Sequence, residues 1–173
     1  MVAVCDTKAT GGDYCVMPVA YLYGREAYIA DAVCQNRDPA AVESALVEML
    51  LKHRASRARF ESNAAGWRIA EAVAERVRTE GGECSIETKW THSNKETKIQ
   101  VEQPWVLEHC LFWGDEVLKG SRWEEYREMM RQLTGYSLAG SNRYDDAPDA
   151  MAQLAEFLRG MQGGSARVMR RPF

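Results

Sequence analysis

Residues 14–34, YCVMPVAYLYGREAYIADAVC, are rich in Val, Ile and Tyr and break once, at Gly24-Arg25. Two apolar runs on either side of a glycine-containing turn read as a β-hairpin, with strands over 14–23 and 26–34. Pro18 fits badly, because proline donates nothing to a ladder and belongs at an edge or a bulge. Upstream, residues 2–6 (VAVCD) are a short apolar run ending on an aspartate, and the turn-rich TKATGGD follows. A strand therefore precedes the hairpin, and the three strands make an antiparallel meander.

Downstream the period changes. After Asp38-Pro39, an N-cap and a proline at the first helical position, Val42, Leu46, Met49 and Leu50 recur at helical spacing. Residues 57–63 (RARFESN) are too short for a helix and give a fourth strand. Ile69, Ala70, Val73 and Val77 then mark a second helix between Gly66 and Gly81-Gly82. Residues 84–90 (CSIETKW) alternate as a fifth strand, the polar THSNKETK reads as a loop or a short helix, and 105–113 (WVLEHCLFW) is a further apolar run. Trp123, Tyr126, Met130 and Leu133 set a third helix, and Ala150, Met151, Leu154 and Leu158 a fourth. The chain ends in GGS and then Arg167, Arg170 and Arg171, a basic tail expected to fray. The expected organisation is one domain over 1–160 and a flexible basic tail over 161–173. A meander followed by helix, strand, helix, strand and trailing helices belongs to the α/β class. It predicts a mixed central sheet of five or more strands, antiparallel meander plus parallel crossovers, flanked by helices in the ribonuclease H-like arrangement.

Composition narrows the function. At 173 residues and 46% hydrophobic content the chain suits one compact domain with a real core. No run of about 18 apolar residues exists, and MVAVCDTK lacks the basic and apolar regions of a signal peptide, so a cytoplasmic protein without a membrane partner is expected. The cysteines at 5, 15, 34, 84 and 110 are odd in number and form no CxxC pair, which argues against a disulfide framework and a structural zinc site. A net charge of −3 speaks against a nucleic-acid binder, since such domains usually carry a basic excess.

The acids bear on that objection. In YDDAPDA (144–150), Asp145, Asp146 and Asp149 crowd together although like charges at helical spacing repel. One reading is a cap: Asp146 as N-cap, Pro148 in the first turn, and Asp149 favoured by the macrodipole. The other is a cation site, and the two are compatible. Asp6 ends the first strand and Glu61 the fourth. If those strands are parallel neighbours, both acids emerge at the carboxyl edge, where open α/β sheets bind ligands. Carboxylates sharing a small buried volume need protons or cations, and oxygen-only ligands suit Mg²⁺ or Mn²⁺. Asp6 alone is equally a strand-end turn residue. Glu61 beside Phe60 is harder to dismiss, because an ionised acid there is costly without a partner. His92 and His109 are isolated and read as surface or hydrogen-bonded histidines.

The combination CDTKATGGDY, FESNAAG, THSNKETKIQ and YDDAPDA, in that order from about Val2 to Leu158, resembles the C-terminal nuclease domain of the large terminase subunit of tailed bacteriophages. The resemblance implies a ribonuclease H-like endonuclease that cuts concatemeric double-stranded DNA during genome packaging, in the cytoplasm of a bacterial host, using two Mg²⁺ or Mn²⁺ ions. It implies Asp6, Glu61 and Asp149 as catalytic ligands, with Asp6 bridging both ions, Asp146 as an additional ligand, and Asp13 as a nearby acid supporting a second metal. Which of Asp145, Asp146 and Asp149 bind directly stays open. Lys89, Lys95 and Lys98 would flank the cleft within reach of DNA backbone, or form a solvated basic face. Two divalent ions would bring the charge to −3 + 4 = +1. No GxxxxGK[ST] string is present, so the packaging ATPase domain of a full large terminase is expected to be missing and Met1 to be an artificial start. That ATPase domain, the small terminase subunit and the portal would be the partners. Two alternatives share these acids: a RuvC-like junction resolvase, and a ribonuclease H-like docking module without catalysis.

Overall fold

The computed structural model describes residues 1–7, 13–63, 66–91, 94–140 and 142–162. Their elements are β1 (Val2–Cys5), β2 (Cys15–Tyr23), β3 (Glu26–Gln35), α1 (Pro39–Lys52), β4 (Arg57–Glu61), α2 (Gly66–Thr79), β5 (Ser85–Lys89), α3 (Lys95–His109), β6 (Cys110–Leu111), a 3-10 turn (Ser121–Trp123), α4 (Glu124–Gly135) and α5 (Asp146–Gln162). The strands form one mixed sheet in the order β5-β4-β1-β2-β3-β6. The meander pairs antiparallel, whereas β1–β4, β4–β5 and β3–β6 pair parallel.

Central strands are apolar on both faces because both faces are covered. Val2 and Val4 of β1 pack with Met151, Leu154 and Leu158 of α5, while Ala3 and Cys5 pack with Leu46 of α1 and Val73 of α2. Along β3 the inward set switches from Ala27 and Ile29 to Ala32 and Cys34. The switch follows from a register shift at Val19/Ala20, where Val19 pairs with Asp31 and Ala20 with Ile29, leaving Ala30 as the extra residue of a bulge. Pro18 lies in an interior strand rather than at an edge. Along β1 and β2 the pairs are Val2–Ala20, Ala3–Val19 and the bridge Asp6–Val16, so the residue without an N–H falls in the gap between them.

Asp38 caps α1 as expected, its Oδ1 accepting from Ala41 N at 3.1 Å with Pro39 opening the helix. All five cysteines are free thiols, and four are buried. The segment 95–109 departs from expectation. It is a single helix, α3, and the apolar run 105–113 is its second half followed by the two-residue β6. Helical apolar spacing fails there because the buried face carries Lys98 and Glu102 while Val101 and Leu107 stand 61% and 77% exposed. Ion pairs make that burial tolerable: Lys98 meets Asp149, and Arg159 grips Glu102 at 2.8 Å, fastening α3 to α5. The last helix begins at Asp146 and runs to Gln162, past the start of the expected tail. Arg167, Arg170, Arg171 and His92 lie outside the described residues, while His109 is buried. Among the described residues no helix is long and apolar enough to cross a membrane.

Candidate metal centre

Parallel pairing of β1 with β4 sets Cys5 opposite Phe60, so the next residues, Asp6 and Glu61, leave the sheet side by side at its carboxyl edge. The first turn of α5 closes the group from the α3–α4 side, with Asp149 one turn into the helix. Asp6, Glu61 and Asp149 each offer a carboxylate oxygen within 4.8 Å of the others, at exposures of only 3%, 6% and 0%. These are the acids singled out from the sequence as core ligands. Asp146 is also buried but does not cap its own helix. Its Oδ2 accepts from Tyr14 N at 3.0 Å, tying α5 to the residue that precedes β2, and its Oδ1 faces Lys95 Nζ at 3.2 Å. Asp13 is half-buried and outside the group of three.

Other groups hold the acids in place. Asn63 Nδ2 donates to Glu61 Oε1 at 2.6 Å, and Gln153 Nε2 bridges Glu61 Oε2 at 3.1 Å and Asp149 Oδ2 at 3.2 Å. Gln153 was not legible as a site residue, although its place four residues after Asp149 puts it on the same helix face. Two lysines of α3 complete the group. Lys98 is buried with Nζ 2.6 Å from Asp149 Oδ1, and Lys95 Nζ lies 3.2–3.5 Å from Asp6, Asp145 and Asp146. Lys89 is ion-paired with Glu156. Lys89, Lys95 and Lys98 thus all face carboxylates in this structure.

The electrostatics separate this group from Asp31, a buried acid elsewhere in the fold. At Asp31 burial is outweighed by His53, Lys52 and the Ala32 N–H, which hold its carboxyl below the usual range. Burial pushes Asp6 well above that range, and the adjoining Glu61 and Asp149 add to the effect against Lys95. Asp149 is likewise raised by burial, opposed by Lys98 and Lys95. Asp149 Oδ1 is fully enclosed and, despite the nearby ammonium, receives no donor in hydrogen-bond geometry. Three clustered carboxylates, two of them resisting ionisation, and an enclosed acceptor fit a hard divalent cation, which takes oxygen ligands and favours their ionised form.

A pH dependence follows. For Asp6 and Asp149 the folded carboxyl binds its proton more tightly than the unfolded one, so the native state holds more protons and stability falls as pH rises. The loss starts near pH 4, the ordinary carboxyl value, and runs upward through the raised folded values. Melting in EDTA from pH 4 to 8 should show this decline, and Asp6→Asn should flatten it; equal slopes for the two proteins would contradict the charge assignment.

The sheet order, the helices on both faces and the acids at the carboxyl edge define an α/β protein of ribonuclease H-like fold. One solved structure supports that fold. The nuclease domain of human cytomegalovirus terminase, Mn-soaked and inhibitor-bound, matches with a TM-score of 0.61 at 13% identity, over 90% of this chain and 81% of that one. Thermus thermophilus RuvC matches with a TM-score of 0.48 at 15% identity over 94% and 96% of the two chains. RuvC of T. thermophilus in complex with a Holliday junction gives 0.43 at 14% identity, over 94% and 97%. No protein-family model and no curated protein matches the sequence. The ribonuclease H-like fold expected from the sequence is the fold observed.

Proposed function

We propose that the chain is a divalent-metal-dependent endonuclease that hydrolyses double-stranded DNA, and that it cuts concatemeric viral DNA during genome packaging in the bacterial host cytoplasm. The observation that carries this reading is the convergence of Asp6, Glu61 and Asp149 at the carboxyl edge of β1 and β4. Supporting it is the likeness of fold to a terminase nuclease domain whose structure was soaked with Mn. Asp6, Glu61 and Asp149 would hold two Mg²⁺ or Mn²⁺ ions, aided by Asp146 and by Asp13. Such ions supply a water of lowered pKa and positive charge against that developing on a phosphodiester.

The chain's own residues do the rest. Gln153 and Asn63 fix the oxygens of Glu61 and Asp149, so the acids need little reorganisation when a substrate arrives. Lys98, buried against Asp149, opposes the burial that raises that acid's pKa and favours its ionised form. Lys95, beside the acids, and Lys89, paired with Glu156, would meet DNA backbone in salt-sensitive contacts that ignore sequence. The packaging ATPase domain, the small terminase subunit and the portal would bring DNA to the site.

The test compares a linear duplex with a four-way junction of equal length in Mn²⁺, Mg²⁺ or EDTA. Cleavage of the duplex with either metal, none in EDTA and no preference for the junction is expected. Cutting confined to the junction, or cutting that persists in EDTA, would contradict the proposal.

A further inference from the structure

Lys95 is the first residue of α3, where the positive end of the helix dipole disfavours a cation. Nothing local to the helix accounts for it there. Its ammonium is instead shared among Asp6 Oδ2 at 3.5 Å, Asp145 Oδ1 at 3.5 Å and Asp146 Oδ1 at 3.2 Å, with no single close partner. Burial by itself would make its proton easier to lose, but the surrounding carboxylates reverse that and keep it charged. Lys98 differs: it is buried, has one partner at 2.6 Å, and lies a turn further into the helix. The Lys95 side chain is 40% exposed and has an open route to solvent.

We infer that Lys95 is a displaceable counter-ion, standing in for a divalent cation at the acidic group and competing with it. The inference rests on the metal-site reading above. Four buried acids, Asp6, Glu61, Asp146 and Asp149, cannot remain together unneutralised, and Lys98 supplies only one fixed positive charge. Lys95 supplies a second that is held loosely by several oxygens, so a dication can take its place without breaking a specific pair. Displacement turns the ammonium outward at the mouth of the site, where a phosphate would arrive. Metal loading and the release of a DNA-facing cation are thereby linked, and metal binds more weakly to the free protein than its carboxylates alone would allow.

The test is a calorimetric titration of the purified chain with Mn²⁺ alone, at constant ionic strength, for wild type, Lys95→Met and Lys95→Arg. Removing one positive charge within a few ångströms of a dication should tighten Mn²⁺ binding by at least about tenfold in Lys95→Met. Lys95→Arg, which keeps the charge, should stay within about twofold of wild type. In EDTA the Met variant should melt lower than wild type, and Mn²⁺ should raise its melting temperature by more. Equal Mn²⁺ affinity in wild type and Lys95→Met, with only the metal-free melting temperature lowered, would overturn the inference while leaving the metal site standing. Absence of Mn²⁺ binding in all three proteins would overturn both.

Discussion

Asparagine at position 6 is expected to lower metal-dependent DNA cleavage by at least about 10³-fold, because each ligand to a catalytic cation contributes to several kcal/mol of charge stabilisation. The same change should leave the metal-free protein folded and more stable. Asp6 is 3% exposed and sits beside Glu61 and Asp149, so its ionised form is costly. Burial is the largest cause of its raised pKa, its hydrogen bond with Glu61 comes next, and Lys95 opposes both. Asparagine keeps the shape and removes the charge, while Lys95 retains Asp145 and Asp146 as partners. Because Lys95 already offsets part of the cost, the gain should be about 1 kcal/mol, a rise of roughly 2–4 °C in melting temperature for a domain of this size. Thermal melts in EDTA beside cleavage in Mn²⁺ read both effects. A variant that cleaves normally, or that melts several degrees lower, would contradict the assignment.

Alanine at position 66 should be damaging for a geometric reason. Gly66 opens α2 directly against the end of β4, and a Cβ there would lie 2.0 Å from the Glu61 carbonyl oxygen and 2.5 Å from Thr7 Oγ1. The nearer atom is backbone, so the strand end or the helix must move. Thr7 donates to that same carbonyl at 3.2 Å and follows Asp6 in the chain, which means that the shift reaches two of the three acids. Overpacking of this kind costs about 1–3 kcal/mol, but misplacing catalytic groups by about 1 Å costs on the order of 10²-fold in rate. Gly66→Ala should therefore lose far more activity than stability. Gly135→Ala, where a Cβ meets nothing within 4 Å, is the matched control and should change neither. Wild-type cleavage in Gly66→Ala would show that the α2–β4 junction does not set the site.

Much of this was legible in the sequence where local pattern and tertiary environment agree. The meander, α1 with its Asp38 cap, and the alternation of β4, α2 and β5 follow from apolar period and punctuation, and the sheet pairs them as expected. The acids could be placed because strand ends and a helix start are local features, and parallel pairing of β1 with β4 then brings Asp6 and Glu61 together. Helix α3 was not legible. Its buried face is charged, satisfied by Asp149 and Arg159 on α5, and no apolar stripe marks it. For the same reason Lys95 and Lys98 read as a basic segment beside a cleft rather than as partners of the acids. The sequence shows their charge, but only the packing of α3 on α5 shows what that charge faces. The two-residue β6 and the bulge at Ala30 depend on tertiary pairing and leave no periodic trace. The anchoring of Asp146 by Tyr14 N, between segments 132 residues apart, is equally beyond local pattern.

The most direct test of the central claim is nicking and linearisation of supercoiled plasmid in Mn²⁺ by the wild type beside Asp6→Asn and Glu61→Gln, each confirmed as folded by its melting transition. Metal-dependent cleavage by the wild type that disappears in both variants is the expected result. Cleavage at wild-type rate by either folded variant would contradict a catalytic role for the acidic group.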